Sequence, residues 1–486
     1  MVSVSIEILL LSIFLLLCLP KTSNILIKQI GLFSSFFLFF FSLVFWIFFD
    51  QSTSKIQFVE KFSWLFETNN FFVLGLNGIS LFFIILTTLL IPVCLLASWN
   101  IELFLKEYFI AFLILEIFLI LVFCVSDVFL FYIFFESVLI PMYLIIGIWG
   151  SRQRKIRAAY LFFLYTLFGS LVMLSAIGYL YTKTGTTDYE SLLNFQFAEF
   201  EQKILWLAFF FSFASKIPMF PVHLWLPEAH VEAPTAGSVV LAGILLKLGV
   251  FGFVKFSIPL FSKASYFFTP IVLTFSVIGI IYGSFTAIRQ SDFKRIIAYT
   301  SIAHMNLVVM GIFSFNLIGL EGAIIQSISH GFVSSALFLI IGIVYDRYHT
   351  RTVRYFGGIA QTMPIFVIFF LIFSMANIAL PGTSSFVGEF LILCGVFKQS
   401  PIAGVFGALG IVLSGAYSLW LFNRISYGNV KIFFLEKFLD LNKREFFVLL
   451  PLLLGTLFLG IFPQAFLEPL HMSIAHLLEV VQTSME

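Results

Sequence analysis

The sequence predicts an all-α, polytopic membrane protein of about fourteen transmembrane helices. Of its 486 residues 60% are hydrophobic and 11% charged, where a soluble domain carries about a quarter charged residues. Stretches free of Asp, Glu, Lys and Arg run from Gln29 to Phe49, Ala158 to Thr182, Ala264 to Ile288, Tyr355 to Gly388 and Gln399 to Asn423, each at or above the ~20 residues that cross a bilayer. A membrane β-barrel would instead alternate apolar and polar positions over segments of ~10 residues, and these runs do not alternate.

Taken in order, the first two spans, 6–20 and 26–49, are apolar runs separated by Pro20 and Lys21. The third to fifth, 71–98, 108–126 and 128–149, are divided by the polar steps at Asn100–Glu102 and Ser126–Asp127. An Arg-rich loop precedes 158–181, and spans 204–235, 236–257, 265–288, 296–314 and 319–345 follow between charged loops. The last three are 362–398, 402–423 and 446–466, and the tail from Phe466 to Glu486 mixes Leu, His and Glu as an interfacial amphipathic helix does. The expected organisation is an N-terminal group of three helices (1–102), a five-helix unit (103–258), a second five-helix unit (259–426), and a last span with the tail (427–486).

Loop charge sets the orientation. Loops after odd-numbered helices hold 18 of the 27 basic residues, among them Arg152, Lys294, Arg351, Lys431 and Lys437; loops after even-numbered helices hold seven, Lys255 included. The positive-inside rule therefore places the odd loops on the matrix or cytoplasmic face. The two remaining basic residues, Lys216 and Lys247, fall inside spans.

The seventh and twelfth spans are too long and too interrupted to be plain helices. One contains Lys216-Ile217-Pro218-Met219-Phe220-Pro221, the other Leu380-Pro381-Gly382-Thr383, and an interior proline removes a helical hydrogen bond and clashes with the preceding turn. Paired discontinuous helices are a transporter signature, because unwound backbone at membrane depth survives only beside protein or a water-filled cavity. Two five-helix units related this way must be inverted, since five is odd.

An ionised side chain in hydrocarbon is costly, so each one is a functional candidate. The candidates are Glu116, Glu136, Lys216, His223, His230, Lys247, His304, His330 and Glu389. Glu136 needs a cation from another helix, and Lys216 is the natural partner. Lys247 has no acid within a helical turn, and burial disfavours its charge, so it can load and release a proton. His304 and His330 suit a relay, because a neutral imidazole donates from one nitrogen and accepts on the other. Glu116, His223 and His230 are accessory, each equally readable as a packing residue. The polar segment Leu226–Thr235 reads as a loop that gates water or caps the eighth helix.

Cys18, Cys94, Cys124 and Cys394 lie far apart in apolar runs without Cys-x-x-Cys spacing, and read as buried packing residues. The net charge of +2 is dispersed, which argues against a nucleic-acid partner. The N-terminus lacks a basic leader, so the first helix is expected to be retained. With 68 residues, Phe is unusually frequent, as AT-rich organellar coding produces.

These residues resemble a known family. His223-Leu224-Trp225-Leu226-Pro227-Glu228-Ala229-His230-Val231-Glu232-Ala233-Pro234-Thr235, with Leu245-Leu246-Lys247-Leu248-Gly249, is similar to the signature of the subunit 4 family among the antiporter-like membrane subunits of respiratory complex I. Lys294-Arg295-Ile296-Ile297-Ala298-Tyr299, Ser329-His330-Gly331 and Ala379-Leu380-Pro381-Gly382 through Gly388-Glu389-Phe390 extend the likeness from about Leu76 to the C-terminus. The resemblance implies a fourteen-helix, proton-translocating subunit of the mitochondrial inner membrane, related to Mrp-type antiporter subunits. It implies a hydrophilic axis at Glu136, Lys216, Lys247 and Glu389, assisted by His304 and His330, and no cofactor in this chain. FMN, iron–sulfur clusters and ubiquinone would belong to other subunits, and the partners would be neighbouring antiporter-like subunits and lipids such as cardiolipin. The competing readings are an Mrp-type cation/proton antiporter subunit, a haem carrier using membrane histidines, and a passive linker.

Overall fold

The computed structural model describes residues 1–63, 71–430 and 439–485; Lys431 and Lys437 lie outside the described residues. The chain is helical nearly throughout. Helices α1 (Val2–Cys18) and α2 (Asn24–Ile47) are followed by a two-stranded antiparallel hairpin, β1 (Gln57–Ser63) and β2 (Phe71–Leu76), then by α3 (Gly78–Ala97) and α4 (Leu105–Cys124). The hairpin corrects one sequence expectation: Phe71–Leu76 is strand, and the third span begins only at Gly78, where Asn77 caps the helix by accepting from the Ser80 N–H. Phe, Val and Leu serve a strand as well as a helix, so hydropathy alone cannot separate the two.

Next come α5 (Val128–Ser137) and α6 (Leu139–Trp149), which together make one span, and α7 (Lys155–Thr184). After the short α8 (Tyr189–Leu193) come α9 (Glu199–Lys216) and α10 (Trp225–Glu232), separated by the expected break at Pro218 and Pro221. Leu226–Glu232, expected as loop, is therefore helix. The next span, Thr235–Leu260, is α11 (Thr235–Val240), α12 (Leu246–Gly252) and α13 (Ile258–Leu260), joined by π-helical turns at Leu241–Leu245 and Phe253–Ser257. After these, α14 (Ser262–Arg289), α15 (Phe293–Ile312) and α16 (Leu317–Tyr348) precede α17 (Pro364–Asn377) and α18 (Ser384–Gln399), which are parted at Pro381-Gly382 as the sequence indicates. Then follow α19 (Pro401–Ser426), α20 (Lys443–Ile461) and the tail helix α21 (Gln464–Met485).

Eleven of the described helical segments are long and apolar enough to cross a membrane, and α1 and α17 are shorter apolar helices. Burial ranks them. The most apolar windows of Thr235–Leu260 and α16 are wholly inside the protein, whereas those of α2, α19 and α20 are only 33% buried. The outer helices show Phe33, Phe40, Phe168 and Val412 to their surroundings, the pattern of a bundle whose solvent is lipid. The inner helices carry the polar side chains. Tail helix α21 lays Leu470, Ile474, Leu477 and Val481 against the bundle, and the Gly78 N–H donates to its Ser473 Oγ at 3.1 Å.

Three basic residues counted with the loops are in fact inside. Lys255, Lys294 and Arg351 are all buried, and Lys255 lies within the Thr235–Leu260 span. The cysteines are free; Cys94 and Cys124 are buried as expected, but Cys18 is exposed and Cys394 half-buried.

Candidate functional site: a buried row of ionisable residues

The centre of the bundle brings together the residues that hydropathy singled out, in two groups. The first sits at the break in α9. Lys216 is its last residue, so its cation lies at the negative end of the helix dipole. Its Nζ donates to the Phe135 carbonyl at 2.6 Å, lies 3.2 Å from the centroid of the Phe135 ring, and stands 3.9 Å from Glu136 Oε1. Among the described residues neither Glu136 oxygen has a hydrogen-bond partner, so Lys216 is its charge partner at a separation beyond a hydrogen bond.

The second group is a chain of contacts. Lys247 Nζ donates to the Ala242 carbonyl at 2.5 Å, inside the first π-helical turn, and meets His330 Nδ1 at 2.9 Å. The His330 ring lies 6.0 Å from the His304 ring, centroid to centroid. His304 Nδ1 is 3.0 Å from Glu389 Oε1, which also accepts from Gln326 Nε2 at 2.9 Å. Four residues separated by up to 142 positions in sequence thus form one line from Lys247 to Glu389. Gln326 went unnoticed in the sequence, because an uncharged amide in an apolar helix gives little signal.

Two glycines let the helices close around this line. A Cβ on Gly249 would stand 2.5 Å from Ile217 Cγ1 and 2.9 Å from the Phe213 carbonyl, so α12 can press against the end of α9 only without a side chain there. That contact joins the two groups, since Gly249 is two residues from Lys247 and Ile217 adjoins Lys216. A Cβ on Gly388 would stand 2.7 Å from the Gln326 backbone, and that close approach brings Gln326 to Glu389.

The accessory candidates divide. His230 stacks on Phe338 at 4.6 Å, its plane within 8° of the ring, and lies in the electrostatic field of Lys247 and Lys294. His223 packs elsewhere, between Phe220 and Tyr282. Glu116 is fully buried, and neither oxygen has a hydrogen-bond partner among the described residues; its charge bears on the buried Cys94 thiol.

Comparison with known proteins fits this geometry. Residues 125–414 match a family profile described as NADH:quinone oxidoreductase/Mrp antiporter, transmembrane. The NADH-ubiquinone oxidoreductase chain 4 of Marchantia polymorpha is 56% identical, with 97% of this chain and 95% of that protein covered. The chain 4 of Arabidopsis thaliana is 57% identical over 96% of this chain and 94% of its own length. This chain belongs to the NADH-ubiquinone oxidoreductase chain 4 family. Among solved structures, a chain of respiratory complex I from Thermus thermophilus superposes with a TM-score of 0.88 at 31% identity, covering 98% of this chain and 100% of that one. A chain of the Mrp complex from Dietzia superposes with a TM-score of 0.86 at 18% identity, covering 100% and 99%, and shares the fold. The profile spans both broken helices and every residue of the row, so family membership and buried chemistry coincide in the same part of the chain.

Proposed function

We propose that this chain is a proton-translocating subunit of the membrane arm of a mitochondrial NADH:ubiquinone oxidoreductase, moving protons along the row while quinone reduction in other subunits supplies the energy. The observation that carries the reading is the order Lys247, His330, His304, Glu389, joined by hydrogen-bond contacts at both ends and by neighbouring rings in the middle, inside a bundle of largely apolar helices.

Protonation logic fixes the tautomers along the row. An ammonium group only donates, so when Lys247 is charged, His330 Nδ1 accepts and its Nε2 carries the proton. A carboxylate only accepts, so when Glu389 is ionised, His304 Nδ1 carries the proton and its Nε2 is the acceptor. Both Nε2 atoms lack a hydrogen-bond partner among the described residues. One is thus a donor and the other an acceptor on adjacent rings, complementary across the one step of the line not closed by a direct contact. A proton leaving Lys247 enters His330 at Nδ1, another leaves from its Nε2 towards His304, and the His304 Nδ1 proton passes to Glu389. Both imidazoles then hold the opposite tautomer and must reset before a second proton can follow, so the row passes one proton per cycle.

The Glu136–Lys216 pair lies next to this line through the Ile217–Gly249 contact, and a charge shift there changes the potential at Lys247. A switch of this kind needs only a different interaction with the two protonation states. The chain itself supplies no redox group in this reading; FMN, iron–sulfur clusters and ubiquinone reside in partner subunits. Neighbouring antiporter-like subunits and lipids such as cardiolipin are its contacts, and the odd-numbered loops face the matrix.

The test is Lys247→Met and Glu389→Gln in the assembled complex in sealed vesicles. Each is expected to lower the protons moved per electron pair while NADH oxidation by an artificial acceptor, which reports assembly, persists. Full pumping in both variants would refute the reading.

A further inference from the structure

The C-terminal end of α10 is buried, with Ala229, His230, Val231, Glu232 and Ala233 all inside. A helix end leaves its last four carbonyls without partners in the helix, and buried carbonyls must find donors. Here each finds one, and the four donors come from four elements. The His230 carbonyl accepts from Ser238 Oγ of α11 at 3.1 Å, and the Glu232 carbonyl from the Ser151 N–H, between α6 and α7, at 3.0 Å. The Val231 carbonyl accepts from Arg351 Nη1, and the Ala233 carbonyl from Lys294 Nζ at 2.6 Å.

Arg351 does more than cap. Its Nη2 donates to Ser151 Oγ at 2.6 Å, its guanidinium lies 4.2 Å from the Tyr345 ring, and its carbonyl accepts from the Phe293 N–H at 2.9 Å. It therefore ties segments of both five-helix units to the end of α10. Both cations lie at the negative end of that helix's dipole. Buried charges are poor devices for stability alone, since apolar replacements often serve as well. What they fix is position.

The residue so positioned is His230, in the same turn as the capped carbonyls. Its ring lies flat on Phe338 of α16, the helix that carries His330, both ring nitrogens lack a hydrogen-bond partner among the described residues, and its carbonyl is bound by Ser238 of α11, in the span that carries Lys247. We infer that Arg351 and Lys294 are positioning residues, which hold the end of α10 so that His230 passes protons between the odd-loop face and the Lys247–His330 pair. The inference rests on the function proposed above.

The experiment uses the assembled complex in sealed vesicles carrying Arg351→Gln, Arg351→Lys, Lys294→Gln, His230→Gln or Arg351→Gln with His230→Gln. Assembly is read from NADH oxidation by ferricyanide, and coupling from protons moved per electron pair and the quinone reductase rate. Arg351→Gln and Lys294→Gln are expected to lower coupled turnover about 2- to 30-fold, the range for residues that act through another. Arg351→Lys, which keeps a cation at the Val231 carbonyl, should recover most of the loss. The double variant should be no worse than His230→Gln alone. Multiplying losses in the double variant, normal turnover in assembled Arg351→Gln, or failure of every Arg351 and Lys294 variant to assemble would overturn the inference. Full coupling in His230→Gln while Lys247→Met abolishes pumping would remove this inference and leave the proposed function standing; full pumping in Lys247→Met and Glu389→Gln would remove the function itself.

Discussion

Replacing Lys216 with Met tests the switch, because Glu136 then keeps its buried place without a cation. The pair stands at 3.9 Å, with 4% of the Lys216 side chain and 14% of the Glu136 side chain exposed. At an effective dielectric of ~20, two unit charges 4 Å apart attract by about 4 kcal/mol. Moving one charge against 100 mV takes about 2.3 kcal/mol, so opening or closing this one contact is large enough to decide whether a proton moves. Lys216→Met is therefore expected to abolish most proton pumping and slow the coupled quinone reduction, with Glu136→Gln falling similarly. Both changes delete the same interaction, so the double variant should lose much less than the two single losses combined. Pumping would be followed by dye quenching in sealed vesicles, with turnover normalised to ferricyanide reduction. Additive losses in the double variant would show that the two residues act separately, and full pumping in either single variant would refute the switch.

Three further outcomes are expected. The loop from Ser151 to Arg157 should react with impermeant reagents only from the matrix side, as the basic asymmetry of the odd loops requires; labelling from the other side of sealed inner membranes would reverse the orientation. Single substitutions of Cys18, Cys94, Cys124 and Cys394, all free thiols, should leave every iron–sulfur signal of the assembled complex unchanged, and loss of one signal would assign a ligand here. On the surface, hydrogen bonds from Lys183 and Tyr179 hold the Glu201 carboxyl down to about 2. A depressed acid contributes its contacts fully above its ordinary value and loses them as pH falls through the lowered one. The Glu201 carboxylate band should accordingly survive at pH 4 in isotope-edited infrared spectra, whereas titration near the ordinary ~4.3 would contradict the contacts.

Much of this site was legible in the sequence for one physical reason: charge is so costly in an apolar helix that Lys216, Lys247 and Glu389 identify themselves. The breaks at Pro218 and Pro381 were legible for another, the missing N–H and the clash of the ring. What stayed hidden falls into two kinds. The β1–β2 hairpin and the π-helical turns around Lys247 use residues that suit α-helix equally well, so composition carries no sign of them. Lys255, Lys294 and Arg351 sit near span ends, where counting assigns them to water. Their partners are the backbone carbonyls of Val125, Ala233 and Val231, and a carbonyl has no letter in the sequence.

The two broken helices hold their charges by different physics, and the difference bears on which end of the row can switch. Lys216 ends α9, where the unsatisfied carbonyls favour a cation within the last turn. Glu389 lies in the second turn of α18, beyond the reach of the positive end of that helix. Two specific donors, His304 and Gln326, must hold it, and both converge on Oε1. The lysine has that field and one directed bond, to the Phe135 carbonyl at 2.6 Å, but meets Glu136 only at 3.9 Å, without a hydrogen bond between the two. The glutamate is held by directed hydrogen bonds that weaken steeply when bent. In the function proposed above, a disturbance from neighbouring subunits can therefore change the Glu136–Lys216 contact without breaking a hydrogen bond between the two, but can move Glu389 only by breaking bonds to the relay itself. In that reading the pair at α9 is the input of the row, and Glu389 is the acceptor whose geometry follows the protonation of His304.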